Sequence, residues 1–149
     1  HILFEMGETE LICRRLEGDF LDYKNAIPRR NPISVTVDTK AMLESLDRVS
    51  VVISEKLKSP VRCIFEQDRV LLSAKTANGD AKDVCRIDGD GQGLEIGFNN
   101  RYLMDALRFA PADELKLELN TGISPAILVP TDGEESFLYM VLPVRLKAQ

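Results

Sequence analysis

Ile33, Val35 and Val37 alternate with Ser34 and Thr36, the pattern of a half-buried strand. At Asp38 the period changes. Met42, Leu43, Leu46, Val49 and Ile53 recur at helical spacing, and Asp38 is placed to cap a helix over 39–53. Residues 54–60 read as a loop. Three strands follow near 61–66, 69–75 and 80–87, turned at Gln67-Asp68 and Asn78-Gly79. The same order then returns: a strand over 94–98, Asn99 as cap, and a helix to 109 that Pro111 stops. Strands near 114–119, 124–129 and 136–144 complete the second unit. Upstream, 2–6 and 10–16 read as two strands joined at Gly7-Glu8 and stand outside this pattern.

The two units match in chemistry as well as in order. A shift of 61 positions, which carries Asp38 onto Asn99, places Ile33, Val35 and Val37 on Leu94, Ile96 and Phe98. Lys40 then falls on Arg101, Glu44 on Asp105 and Leu46 on Leu107. A sub-unit used twice predicts a pseudo-symmetric domain. The fold class expected is α+β, (βαβββ) twice, with two helices packed on antiparallel sheets of about eight strands. Pro28-Arg29-Arg30-Asn31-Pro32 is polar and proline-bounded, so a domain boundary is expected there. Two strands alone rarely make a stable unit, so residues 1–28 read as the tail of a preceding domain and 29–149 as a domain of their own.

An apolar content of 44% supports a real core, and 24 acidic against 19 basic residues give a net charge of −5. That argues against a wholly basic nucleic-acid binder, although local basic stripes remain open. No apolar run approaches the roughly 18–20 residues that span a bilayer, and no signal peptide is evident. Cys13, Cys63 and Cys85 are isolated in strand-like stretches, the pattern of reduced, buried thiols in a cytoplasmic protein. The single histidine, His1, leaves no internal Ser-His or Cys-His pair and no zinc site that needs an internal imidazole. No cofactor or metal is expected. Asp88-Gly89-Asp90-Gly91-Gln92-Gly93 opens like a calcium loop, but position 12 is Asn99 and no helix precedes it, so a Gly-rich turn between the units is expected.

Three features carry candidate chemistry. Phe137-Leu138-Tyr139-Met140-Val141-Leu142 is apolar on both strand faces. It reads either as a central strand between layers or as an open groove that accepts a peptide. Lys40 and Arg48 on the first helix, and Arg101 and Arg108 seven apart on the second, read as a solvated face of ion pairs, with Glu44, Asp47 and Asp105 among them. The alternative is a loose, salt-sensitive contact with a phosphate backbone. Asp80, Asp83 and Asp88 are the carboxylates an enzyme could use, although loop positions imply no paired acid-base geometry.

Gly18-Asp19-Phe20-Leu21-Asp22-Tyr23, Glu95-Ile96-Gly97-Phe98-Asn99 and Tyr139-Met140-Val141-Leu142-Pro143-Val144-Arg145-Leu146, in that order, resemble the bacterial sliding clamp, the beta subunit of DNA polymerase III. The resemblance covers essentially the whole chain. It implies a DNA-clamp domain, the third of three, preceded here by the last strands of the second. It also implies a non-enzymatic processivity factor. Two full subunits would close head to tail into a ring around duplex DNA, with helices lining the hole. The positions facing DNA would be Lys40, Arg48, Arg101 and Arg108. No membrane is involved.

The resemblance further implies a pocket for short linear motifs of the polymerase alpha subunit, the clamp loader and repair proteins. Matching positions are Leu21, Asn25 and Ala26 in the connecting segment, and Leu57, Asn99, Tyr102, Ile123 and Pro125 in the domain. Met140, Val141, Leu142, Pro143, Val144, Arg145 and Leu146 complete the set. Asn25 stands where an arginine often sits, Leu57 replaces a bulkier residue of some relatives, and Lys147-Ala148-Gln149 extends past the usual final leucine. The alternative function is a peptide-binding interaction domain unrelated to DNA.

Overall fold

The architecture follows from where each apolar stripe is buried. A computed structural model describes residues 1–53, 59–133 and 136–146. Leu57 therefore lies outside the described residues. The chain runs β1 (Ile2–Met6), β2 (Thr9–Cys13), α1 (Tyr23–Ala26), β3 (Ile33–Asp38), α2 (Thr39–Ser50), β4 (Val61–Thr76) and β5 (Gly79–Phe98). It continues with α3 (Asn100–Phe109), β6 (Glu114–Leu119), β7 (Ala126–Pro130), β8 (Tyr139–Val141) and β9 (Pro143–Val144). β1 and β2 form a two-stranded sheet of their own, while the remaining strands form one antiparallel sheet in the order β4-β5-β3-β6-β7-β8, with β9 on β5. The α+β class is as expected. The one-turn helix α1 was not foreseen.

The repeat is visible as an exchange of strands. β3, the first strand of unit one, pairs with β6, the second strand of unit two, so that Val37 faces Leu115 and Val35 faces Leu117. Reciprocally, the end of β5 pairs with the start of β4, so that Phe98 faces Val61 and Ile96 faces Cys63. The last strand of each unit obeys a matching relation, pairing with the first strand of its own unit: Thr36 meets Asp88, and Gly97 meets Val144. The caps match too. Asp38 accepts a hydrogen bond from the Ala41 N–H (2.6 Å), and Asn99 accepts one from the Arg101 N–H (3.0 Å), which satisfies donors that a helix start leaves without partners.

The core lies between the helices and one sheet face. Met42, Leu46 and Val49 of α2 and Leu103 and Leu107 of α3 are buried with Phe65, Phe98, Leu117 and Leu119. Each such side chain contributes about 1.5–3 kcal/mol by leaving water. Pro111 follows α3 as expected, and the Tyr139 hydroxyl donates to the Phe109 carbonyl at 3.0 Å, tying the helix end to β8.

Several boundaries differ from the sequence reading. The two strands expected on either side of Gln67-Asp68 form one bulged strand, β4, because its ladder with β5 continues past both residues with shifts of register. Asp88–Gly93 is likewise a bulge inside β5 and not a turn. Gly91 lies so close to Phe65 that a Cβ would collide with it, while Asp68 and Gln92 take φ of 59° and 56°. The hairpin near Asn78-Gly79 turns one residue earlier, since Thr76 pairs with Gly79. The final expected strand breaks at Leu142 into β8 and β9 as it moves from β7 to β5. Four expected strands have thus merged into two and one has split, leaving seven in the main sheet among the described residues. Cys63 and Cys85 are buried as expected, whereas Cys13 is only half-buried.

Candidate functional site

The outer face of β7 and β8 is apolar and open. Val141 and its partner Ala126 point into the core. By strand alternation the neighbouring positions point the other way. Met140 is half-buried beside its partner Ile127. Ile127 is buried although it stands outside the central cluster, so it forms a floor on the outer side. Beyond the ladder, Pro125 is half-buried, while Ile123 and Leu142 are 73% and 62% exposed. The terminal strand is therefore not sealed between layers.

Two glycines draw the rim of this face together. Gly97 of β5 packs against Leu146 and the Val144 carbonyl, and Gly122 packs against the Glu95 carbonyl. A strand glycine often marks such close approach of another backbone. The first contact seats β9 and Leu146 on β5, and the second lays the turn that carries Ile123 against the same strand. Arg62 holds the Glu95 carboxylate at 2.7 Å, and Arg145 is exposed at the tail. Pro143 and Val144 are half-buried where β9 meets β5. Phe98 pairs with Pro143, so Asn99 stands one residue from this rim.

Asn99 and Tyr102 open onto a second hollow, a cleft of about 560 Å³ that runs along α3 from its cap to its last turn and meets the end of α2, with Ser50, Ile53, Arg101, Asp105 and Arg108 also lining it. The structure thus sets Ile123, Pro125 and residues 140–146 around β7, β8 and β9, while Asn99 and Tyr102 line the separate cleft against α2. The connecting segment is different. Leu21 is 74% exposed, and Asn25 and Ala26 lie on α1, which buries no residue; Asn25 donates to Asp22 at 2.6 Å.

The basic residues lie on the helices that pack together. Arg48 donates from Nε to Asp83 Oδ2 at 2.7 Å and reaches Ser45 Oγ at 3.0 Å. Partial burial acts to raise the Asp83 pKa, but the Val84 N–H and the Arg48 guanidinium outweigh it and hold the carboxyl below its ordinary value. Asp105 contacts Arg101 (3.8 Å) and Arg108 (3.5 Å). Lys40 is exposed and has no ion pair among the described residues. All three arginines are thus paired: Arg101 and Arg108 with Asp105 at helical spacing, and Arg48 with Asp83 of β5, a partner that helical spacing could not reveal.

The carboxylates weighed as an enzymatic centre do not converge. Asp80, Asp83 and Asp88 all lie on β5. Asp80 and Asp83 are an odd number of residues apart and face opposite sides, and Asp88 stands roughly 25 Å from Asp80 along the strand. Among the described residues no three His, Cys, Asp or Glu side chains gather as a metal site, and no helix is long and apolar enough to cross a membrane.

The family profile described as "DNA polymerase III beta subunit, C-terminal domain" matches residues 24–145. The beta sliding clamp of Synechocystis sp. is 34% identical over 147 residues, covering 97% of this chain and 37% of that protein. That of Staphylococcus aureus is 32% identical over 146 residues, covering 97% and 38%. Among solved structures, the DNA polymerase III subunit beta sliding clamp of Bartonella birtlesii superposes with a TM-score of 0.86 at 28% identity, over 97% of this chain and 41% of that one. The beta subunit of Thermotoga maritima gives 0.84 at 29%, over 97% and 39%. The chain spans between 37% and 41% of the length of these relatives. With its duplicated strand exchange and this match over most of its length, the chain belongs to the family of the DNA polymerase III beta subunit, corresponding to its C-terminal domain.

Proposed function

We propose that this chain is the docking part of a sliding clamp, a non-catalytic processivity factor that holds a replicative polymerase on DNA in the cytoplasm. Residues 29–149 form the C-terminal clamp domain, and 1–28 are the last strands and connecting segment of the domain before it. The whole protein encircles duplex DNA as a head-to-tail dimer. Short linear motifs of the polymerase alpha subunit, the clamp loader and other partners bind the groove of Ile123, Pro125, Met140 and Leu142, with Asn99, Tyr102 and Arg145 at its polar edge. Val141 anchors β8 from the core side, while Pro143 and Val144 of β9, and Leu146 beyond it, support the groove. Leu21, Asn25 and Ala26 complete the pocket from the connecting segment.

The observation that carries this reading is the open apolar face at Met140 and Leu142 over the buried Ile127. Two aliphatic anchors seated there contribute roughly 3–6 kcal/mol, below the roughly 8 kcal/mol of a micromolar complex. Backbone and polar contacts at the edge supply the rest. Titration of a fluorescein-labelled, Gln- and Leu-rich pentapeptide tests it. Saturable binding that Met140→Asp with Tyr102→Ala abolishes is expected; binding indifferent to both substitutions would place the site elsewhere.

The ion pairs that occupy Arg48, Arg101 and Arg108 favour a second reading, a peptide-binding module with no DNA contact. Salt-dependent retention of duplex DNA by the full-length protein, sensitive to substitution of these arginines and Lys40, separates the two.

A further inference from the structure

Resting on the reading that α2 and α3 face DNA, we infer that Asp105, seconded by Asp83, is a built-in competitor that limits how many arginines a duplex can engage. Arg101 and Arg108 lie about 10 Å apart along α3, and Asp105 stands between them. Each carboxylate oxygen takes one arginine: Oδ2 faces Arg101 Nε at 3.8 Å, and Oδ1 faces Arg108 Nη1 at 3.5 Å. On α2, Arg48 is held by Asp83, which reaches it from β5 at 2.7 Å. Lys40 is left without an ion pair among the described residues.

These pairs are wet. The side chains of Arg101 and Arg108 are 80% and 52% exposed, and that of Asp105 is 39% exposed. Ion pairs in water are weak and exchange readily. A DNA phosphate can displace Asp105, but it must do so against a neighbour already in place, and a released carboxylate then repels the phosphate. The arginines remain able to touch DNA while each contact is kept shallow. A surface that must pass along a duplex gains from contacts that release as easily as they form, because each fully neutralised phosphate steepens the dependence on salt. Asp105 is in this sense a positioning residue acting through Arg101 and Arg108.

Fluorescence anisotropy of a labelled, linear mixed-sequence duplex, titrated with the full-length protein over a series of KCl concentrations, tests this. Asp105→Asn should tighten binding about tenfold at about 50 mM salt and steepen the log–log salt slope by about 1–2. Asp83→Asn should give a smaller gain. Adding Arg101→Ala and Arg108→Ala to Asp105→Asn should erase the gain, whereas Glu8→Gln, at the distant β1–β2 turn, should leave binding at the wild-type value. Thermal melts of each variant verify folding. Arginine-dependent binding that Asp105→Asn does not strengthen overturns the inference and leaves the DNA-facing reading standing. A gain shared by Glu8→Gln also overturns it, since bulk charge would then be the cause. Binding unaffected by the arginines, or none by any variant, overturns both.

Discussion

Leu146 occupies the space that a side chain on Gly97 would need: a Cβ there would stand 2.7 Å from Leu146 Cδ2 and 2.7 Å from the Val144 carbonyl oxygen. Gly97→Ala should therefore push the tail off β5. Overpacking of this kind costs about 1–3 kcal/mol, readable in a denaturant melt, and peptide docking should weaken in parallel. A variant of wild-type stability with unaltered docking would show that the tail does not depend on this contact.

Leu142 gives the opposite separation. It stands at the break between β8 and β9 and is 62% exposed. Leu142→Asp should change stability by no more than about 0.5 kcal/mol. It should weaken peptide affinity at least about tenfold, the loss of one apolar anchor worth about 1.5–3 kcal/mol. Equal loss in both measurements would make Leu142 a structural residue and not a docking one.

Acid should act through Asp83. Its folded pKa is held below the ordinary carboxylate value of about 3.9, so its stabilising contribution is complete above that value and disappears as pH falls through the lower, folded one. Asp83→Asn should lower stability at neutral pH by about 0.5–1 kcal/mol, about 2–4 °C in Tm at most. The gap to wild type should close in strongly acidic buffer. A gap constant with pH would assign the effect to packing.

The thiols should divide one against two. Burial pushes the Cys63 thiol far up and the Cys85 thiol up as well, whereas Cys13 is half-buried in the β1–β2 hairpin. Since the thiolate is the reactive form, a disulfide reagent should modify Cys13 alone in the native chain and all 3 cysteines after denaturation. Rapid native reaction at Cys63 would contradict the core described above.

Local chemistry made part of this legible. Asp38 and Asn99 announce their helices because a cap needs only the following turn, and Arg101, Asp105 and Arg108 meet at helical spacing. The exposed apolar tail was readable as a run of side chains. Ile127 was not, since alternation alone does not tell which of two faces finds a cover. Arg48 and Asp83 are 35 residues apart and meet only through the packing of α2 on β5. Gln67-Asp68 and Asp88–Gly93 carry the residues of a turn, and a turn and a bulge draw on the same left-handed backbone. Only the partner strand decides between them, and Gly91 lies against Phe65 where that ladder slips.

The exchange of β3 with β6 and of β5 with β4 has a consequence for the chain as a polymer. Opening the backbone at Gly93, within the β5 bulge, would leave β3 without β6 on one piece and the start of β4 without residues 94–98. Each piece would display a ribbon of unsatisfied amides. Apart, they should stay molten; mixed, they should reassociate into one cooperative body, as a split reporter does, with affinity set by two interlocking seams.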